Sequence, residues 1–221
     1  MPYLGTSPSA AASGNISASA TVGDGTAEDT KIVFDGNALD FRIGIDDGTD
    51  TLEIGKGNAH GTTSHVTIDT NGIMTKPLQP SFHAYVGTTQ NNIATGSDLT
   101  INYDTEVWDL NADFDTSNKT FTAPVTGKYM LNVNLRMDNV DRDHVYLYMI
   151  LKTSNREYEW LQDISVLYGD DPDYLPFTIN VLADMDASDT AYVRMHIPNL
   201  GAAISDVVGS SKSTFSGYLA C

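Results

Sequence analysis

The segment that most constrains this chain is Phe-Thr-Ala-Pro-Val-Thr-Gly-Lys-Tyr, residues 121–129, because it feeds a strict alternation. Pro124 fixes φ and removes a backbone donor, which suits the entrance of a strand. Gly127 permits a tight bend. From there Tyr129, Leu131, Val133, Leu135 and Met137 fall on one face, with Met130, Asn132, Asn134 and Arg136 on the other. That period of two predicts a strand with one face on a core. A second such stretch, Phe-Ser-Gly-Tyr-Leu at 215–219, stands two residues from the C-terminal Cys221. A fold closed by its last residues has the plan of a jelly roll, whose terminal strand lies inside a sheet.

The region before and between these stretches reads the same way. Phe82–Tyr85, Asp98–Tyr103, His144–Lys152, Tyr158–Leu161, Phe177–Ala183 and Thr190–Ile197 are strand candidates, with turn-rich pieces such as 115–119 and 169–173 between them. No long amphipathic helix is visible. Many short strands with turn punctuation predict a sandwich or jelly roll.

Four separated pieces, in order and at matching spacing, carry a family resemblance: Ser-Phe-His-Ala-Tyr at 81–85, Phe114-Asp115, Phe121-x-Ala-Pro-x-x-Gly-x-Tyr129, and Ser-Thr-Phe-Ser-Gly-Tyr-Leu at 213–219. The region from about Pro80 to Cys221 thereby resembles the C1q/tumour-necrosis-factor-like domain. The resemblance implies an all-β, ten-stranded jelly roll that assembles as a compact trimer, binds other molecules and performs no catalysis. It also bears on His144–Lys152, which is bulky on both faces: Val145, Leu147, Met149 and Leu151 on one, Tyr146, Tyr148 and Ile150 on the other. A strand apolar on both faces is covered on both sides. The second cover is a neighbouring subunit or a loop of the same chain. Tyrosine is favoured at interfaces, so Tyr146, Tyr148, Ile150 and Phe215 are the trimer-interface candidates.

Charge narrows the partners. Twelve Lys and Arg stand against 29 Asp and Glu, a net charge of −17. Binding nucleic acid rests on basic residues neutralising phosphates, and anionic membranes ask for the same, so neither is an expected partner. The acidity suits solubility, and calcium is the cation it could serve. No run of about twenty apolar residues is present to cross a membrane, and the opening residues lack the basic and apolar regions of a secretory signal. Cys221 is the single cysteine, so no intrachain disulfide forms; a terminal thiol reads as a frayed end or an interchain link.

Ahead of the jelly roll lie two further zones. Residues 1–23 carry no charge and are dominated by Ala, Ser, Gly and Thr, which makes them a loose tail or a docking arm. Their opening, with Pro2, Tyr3, Leu4 and Pro8, resembles the start of many bacteriophage tail-fibre proteins, where that end attaches to the particle. Pro2, Tyr3 and Leu4 are the docking candidates. Residues 24–79 hold short β-like runs at Lys31–Phe34, Asp40–Ile45, Thr51–Ile54, His65–Ile68 and Gly72–Met74, separated by Asp-Gly, Gly-Lys-Gly and Asn-Gly turns. Five such strands in fifty-odd residues can hardly build a core alone. Three copies around a common axis could, as in phage-fibre shafts; the other arrangement is a meander packed on the C-terminal domain. Pro77 and Pro80 stiffen the linker, and the head occupies residues 80–221.

Nothing in the chain has the spacing of a catalytic or metal centre. His60, His65, His83, His144 and His196 show no close ligand pattern, and no nucleophile-elbow, phosphate-loop or dinucleotide motif occurs. The densest carboxylate clusters fall in loops at 138–143 and 170–173. No cofactor is expected; Asp170, Asp171 and Asp173 are candidate calcium ligands by the oxygen-rich chemistry of such loops, and C1q-like trimers sometimes hold calcium near their axis. Trp108, Tyr158, Trp160, Tyr168 and Tyr174 are candidates for stacking on sugars. The expectation is therefore a homotrimeric bacteriophage virion protein, a fibre- or spike-type appendage displayed on the particle exterior after assembly in the host cytoplasm. Its arm contacts other virion proteins and its head binds host-surface carbohydrate or protein. The alternatives are a capsid-decorating cement, a secreted C1q-like lectin module, and a polysaccharide-cleaving spike with a carboxylate pair in a groove.

Overall fold

The structure, a computed structural model, describes residues 20–93, 95–198 and 204–221. The docking candidates Pro2, Tyr3 and Leu4 lie outside the described residues. The chain divides into two compact units between Pro77 and Leu78.

In the first unit, β1 (Thr30–Phe34), β2 (Phe41–Asp46), β3 (Thr51–Lys56), β4 (Ser64–Ile68) and β5 (Met74–Thr75) form one antiparallel sheet in sequence order. Short polar side chains close the turns. Asp46 accepts from the Gly48 N–H at 2.9 Å, and Asp69 accepts from the N–H groups of Asn71 and Ile73 at 2.9 and 2.8 Å. Register puts the apolar residues on one face. Ile45, Leu52, Ile68 and Met74 form one cross-strand row. Ile32, Ile43, Ile54 and Val66 form the next, and Phe34 lies beside Phe41.

The opposite face buries an ion pair. Arg42 Nη2 meets Glu53 Oε2 at 2.9 Å, with both side chains closed to solvent. The loop between β3 and β4 folds over them: the Gly61 N–H donates to Glu53 at 3.1 Å, His60 Nδ1 lies 3.1 Å from the same oxygen, and Arg42 Nη1 donates to the Lys56 carbonyl at 2.6 Å. Gly55 admits this arrangement, because a Cβ there would stand 2.5 Å from the Thr63 carbonyl oxygen and 2.8 Å from Arg42 Nη1. Burial alone would raise the Glu53 carboxyl. Hydrogen bonds from Arg42, Gly61, Ser64 and His60 outweigh it and hold the pKa down to about 2.

The second unit is a two-sheet jelly roll. One sheet runs in the order β13 (Glu157–Asp163), β12 (Tyr146–Thr153), β15 (Thr190–His196), β10 (Thr120–Thr122), β9 (Phe114–Asp115), with β7 (Asp98–Thr100) also on β15. The other runs β14 (Tyr174–Met185), β11 (Gly127–Asp138), β17 (Ser210–Leu219), β6 (Ser81–Val86), β8 (Thr105–Asp109), with β16 (Asp206–Val207) also on β11. Ten strands make the two main paths, and the short β7 and β16 add to them.

The motif pieces converge on one aromatic cluster between the sheets. Phe82 stacks on Phe121 at 4.7 Å and on Phe114 at 5.0 Å, and meets Phe215 edge-on at 4.9 Å. Tyr129 packs against Phe121 at 5.4 Å and donates its hydroxyl to the Val125 carbonyl at 2.7 Å. Gly217 leaves room for this packing; a Cβ there would stand 2.7 Å from Leu131 Cδ2 and 2.9 Å from Phe82 Cε1.

Three expectations are corrected here. Phe215 is fully buried in this core and is not a subunit contact. The strand expected from His144 begins at Tyr146, because Arg142–His144 winds into a 3-10 turn and Val145 takes φ 62°. The C-terminus is not frayed: the Lys128 N–H donates to the Cys221 carbonyl at 2.6 Å, and the Ala220 N–H donates back to Lys128 at 2.8 Å.

Two tests follow from these interiors. Phe82→Ala should cost the head about 3–5 kcal/mol in chemical denaturation, by analogy with other buried Phe truncations; Gly217→Ala should destabilise in the same direction. Glu53 has a depressed pKa, so its stabilisation is complete above the ordinary value of 4.5 and is lost as pH falls from there to about 2. The loss is on the order of 3 kcal/mol, and amide protection factors in β2 and β3, corrected for the intrinsic pH dependence of exchange, should fall over that window. Glu53→Gln should remove the pH dependence and leave the sheet weakened throughout.

Candidate interaction surfaces

Strand direction gives the head two distinct ends. β6 starts at Ser81 beside Tyr218, and β11 starts at Gly127 beside Met185, so the linker enters at that end. The connecting residues 87–93, 95–97, 139–145, 164–173, 197–198 and 204–209 lie at the opposite end, the tip.

The tip loops are knitted together. Arg142 donates from its backbone N–H to Asp171 at 3.0 Å and from Nη1 to the Gly169 carbonyl at 2.8 Å. The Val145 carbonyl accepts from the N–H groups of Ile164 and Ser165 at 2.8 and 3.0 Å, which holds this β-branched residue at its positive φ. The buried His144 contacts Ser205 Oγ through Nε2 at 3.0 Å. Around this frame stand exposed apolar groups, Val166 (78% exposed), Leu167 and Ile204, beside Tyr174 and the half-buried Tyr168. Arg136 lies 4.9 Å over the Tyr174 ring.

The candidate calcium ligands Asp170, Asp171 and Asp173 sit in this frame without converging. Asp171 is engaged by Arg142, and no group of three His, Cys, Asp or Glu side chains among the described residues is placed to hold a metal ion.

The outward face of the β14–β11–β17–β6–β8 sheet is uncharged across three rows. Leu182, Met130, Tyr218 and Ser81 make the first. Asn180, Asn132, Ser216, His83 and Trp108 make the second, and Thr178, Asn134, Thr214 and Tyr85 the third. His83 and Trp108 pack edge-to-face at 4.8 Å, and Leu182, Tyr218 and Trp108 are exposed. In a chain of net charge −17, such a face is a departure from the rest of the surface.

The side of the sandwich between edge strands β13 and β14 is open. Tyr158 and Trp160 of β13 point inward like their partners Leu151 and Met149, yet Trp160 is 47% exposed. With Ile179 and Val181 of β14 they line a groove that Glu157 and Glu159 also line.

The outward face of β12 differs from expectation. Ile150 is only 3% exposed and lies in register between Glu159 and Arg194, so the chain itself covers it and it offers no interface. Tyr148 stacks on His196 at 4.7 Å, and Tyr146 on Tyr148 at 6.2 Å. Around them Arg194 pairs with Asp98 and Glu157, Lys152 with Glu157 at 2.9 Å, and His196 with Asp98 at 2.8 Å. This is a solvated, charge-laced face. The cross-strand neighbours that reveal it are distant in sequence, whereas Trp108 and Trp160 were legible only as aromatics without an address.

A family model, the C1q domain, matches residues 82–220, more than half of the chain. The chain belongs to the C1q domain family. Among solved structures, the C1q-type head is similar to the globular domain of zebrafish complement 1qA protein at 15% identity, with a TM-score of 0.48, covering 65% of this chain and 98% of that one. It is also similar to murine APRIL at pH 8.0 (10% identity, TM-score 0.47, 64% and 98% covered). A third is Eiger TNF from S. frugiperda (13% identity, TM-score 0.45, 65% and 94% covered). No curated protein matches the chain in sequence.

The tip carries its own pH test. Burial pulls the His144 imidazole below its ordinary pKa, and the Asp141 and Asp143 carboxylates push it back only in part. The unfolded loop therefore protonates more readily, and the tip should lose stability as pH falls below the ordinary value of 6.5. Protection factors (exchange corrected for its intrinsic pH dependence) around 142–145 and 204–208 should fall on going from pH 7.5 to 5.5, and His144→Phe should blunt the change.

Proposed function

We propose that this chain is a homotrimeric, non-catalytic recognition module of C1q type, in which the open β13–β14 edge of each head packs on the uncharged face of the next. The observation that carries the reading is the pairing of these two surfaces on one domain. The edge offers Trp160, Tyr158, Ile179 and Val181; the face offers Tyr218, Trp108, Met130 and Leu182. They are different patches, so their contact is heterologous, and a heterologous contact whose rotation closes makes a ring. Aromatic residues and Met with few charges are the composition of an interface centre. The family resemblance to C1q and tumour-necrosis-factor-like trimers supports three as the number of copies.

The finer reading is a bacteriophage virion appendage. Residues 1–23 dock to the particle, as the resemblance of Pro2–Pro8 to phage tail-fibre openings supports. The tip meets a host-surface glycan: Tyr168, Tyr174 and the neighbouring carboxylates supply ring faces and hydroxyl acceptors, and Val166, Leu167 and Ile204 add apolar contact. Three tips on one stalk give avidity that a single weak site lacks.

Light scattering on the full chain should give the mass of a trimer. Trp160→Glu, which places a carboxylate in the groove, should reduce that mass or make it dilution-sensitive. Fluorescent full-length protein should label intact host cells, and Val166→Asp with Leu167→Asp should abolish labelling without changing the mass. Labelling of undecorated capsids instead of cells would replace host recognition by a capsid-cementing role. A stable monomer would overturn the trimeric reading.

A further inference from the structure

The N-terminal sheet is a single layer with its coverage reversed. Its polar face, with Arg42 and Glu53, is closed over by the chain's own β3–β4 loop. Its other face presents ten large apolar side chains in register, and six of them are exposed, from Ile45 at 41% to Phe34 at 61%. A sheet of this kind needs a second layer.

We propose that the second layer is the same face of two further copies of this chain, so that three sheets wall a shared apolar core. Composition argues against the chain's own arm as the cover: residues 1–23 contain only Met1, Tyr3, Leu4, Ile16 and Val22 as large apolar side chains, too few to cover ten. Charge argues for self-association. The chain carries 29 Asp and Glu, but the three apolar rows contain none, and Lys56 beside Phe41 is the one charged group at their end. Copies can therefore meet here without the like-charge repulsion that the rest of the surface would impose. Tethering also favours it. β5 ends at Thr75 and β6 starts at Ser81, so assembled heads would hold three sheets at an effective concentration of order mM. The trimer number rests on the head assembly proposed above; the self-docking of the face rests on the sheet.

The test is cysteine cross-linking in the full chain. Cys221→Ser removes the native thiol, Ile54→Cys places one in the middle of the apolar face, and Lys31→Cys places a control on the opposite face. A short bismaleimide should convert most Ile54→Cys chains to a dimer band, since one cysteine per chain can join only two copies of three, and should leave Lys31→Cys chains monomeric. Deleting residues 1–19 should leave the cross-link intact. A trimeric mass with no cross-linking of the Ile54→Cys protein overturns this proposal and spares the head assembly. Cross-linking that persists in Trp160→Glu protein of unchanged mass keeps the sheet contact and counts against the head contact. An Ile54→Cys thiol that becomes reactive only when the arm is deleted identifies the arm as the cover and overturns the proposal. Because Ile54→Cys is a mild replacement, circular dichroism matching the parent checks that the sheet is intact.

Discussion

The head depends on the packing of Phe82 against Phe114, Phe121 and Phe215. These rings come from β6, β9, β10 and β17, so one cluster joins the first strand of the domain, its last strand and the sheet opposite. β17 then lies between β6 and β11. Closing a sheet with the last strand is a non-local contact, with a large loop entropy to overcome. A buried aromatic cluster concentrates the apolar area needed to overcome it in a few residues. Gly217 belongs to the same constraint, because the backbone of β17 passes against Phe82 too closely for a Cβ.

Once the sandwich is closed, the distribution of charge organises its outside. Carboxylates crowd the tip loops, and on the β12–β13–β15 face Arg194, Lys152 and His196 tie Asp98 and Glu157 into ion pairs. The three central rows of the opposite sheet carry aromatics, Asn, Ser and Thr, and the β13–β14 groove sets Tyr158, Trp160, Ile179 and Val181 beside Glu157 and Glu159. A molecule of net charge −17 can bring copies of itself together only where its own carboxylates are absent or neutralised. The uncharged face of the head and the apolar face of the N-terminal sheet meet that condition, at some distance from each other along the chain.

Much of the local structure was legible because period two is a strong signal when one face is buried. β11 and β17 follow the alternation closely, and the five runs of the N-terminal zone correspond to β1–β5 within a few residues. β8 gave no such signal. Glu106, Val107 and Trp108 are all exposed, and a bulge interrupts its pairing with β6, so apolar alternation had nothing to mark. Val145 belongs to the apolar alternation of the following strand but sits at φ 62°, because its carbonyl is held by Ile164 and Ser165. The interaction surfaces were less legible. Ile150 reads as an open second face until Glu159 and Arg194 are seen beside it, and Phe215 reads as a contact until the rings around it are known.

The sequence by itself determined most of the longer strands, where Pro and Gly interrupt them, and that the last strand closes the head, because these follow from backbone sterics and local periodicity. It also determined that the N-terminal zone has too little apolar volume for a core of its own. Only the tertiary structure decided what covers the second face of each strand. Burial is set by neighbours across the sheet: Glu53 is held ionised by Arg42 eleven residues before it, and Trp160 is exposed because β13 is an edge strand among the described residues. Those neighbours are chosen by sheet topology, which brings together residues that no local pattern relates.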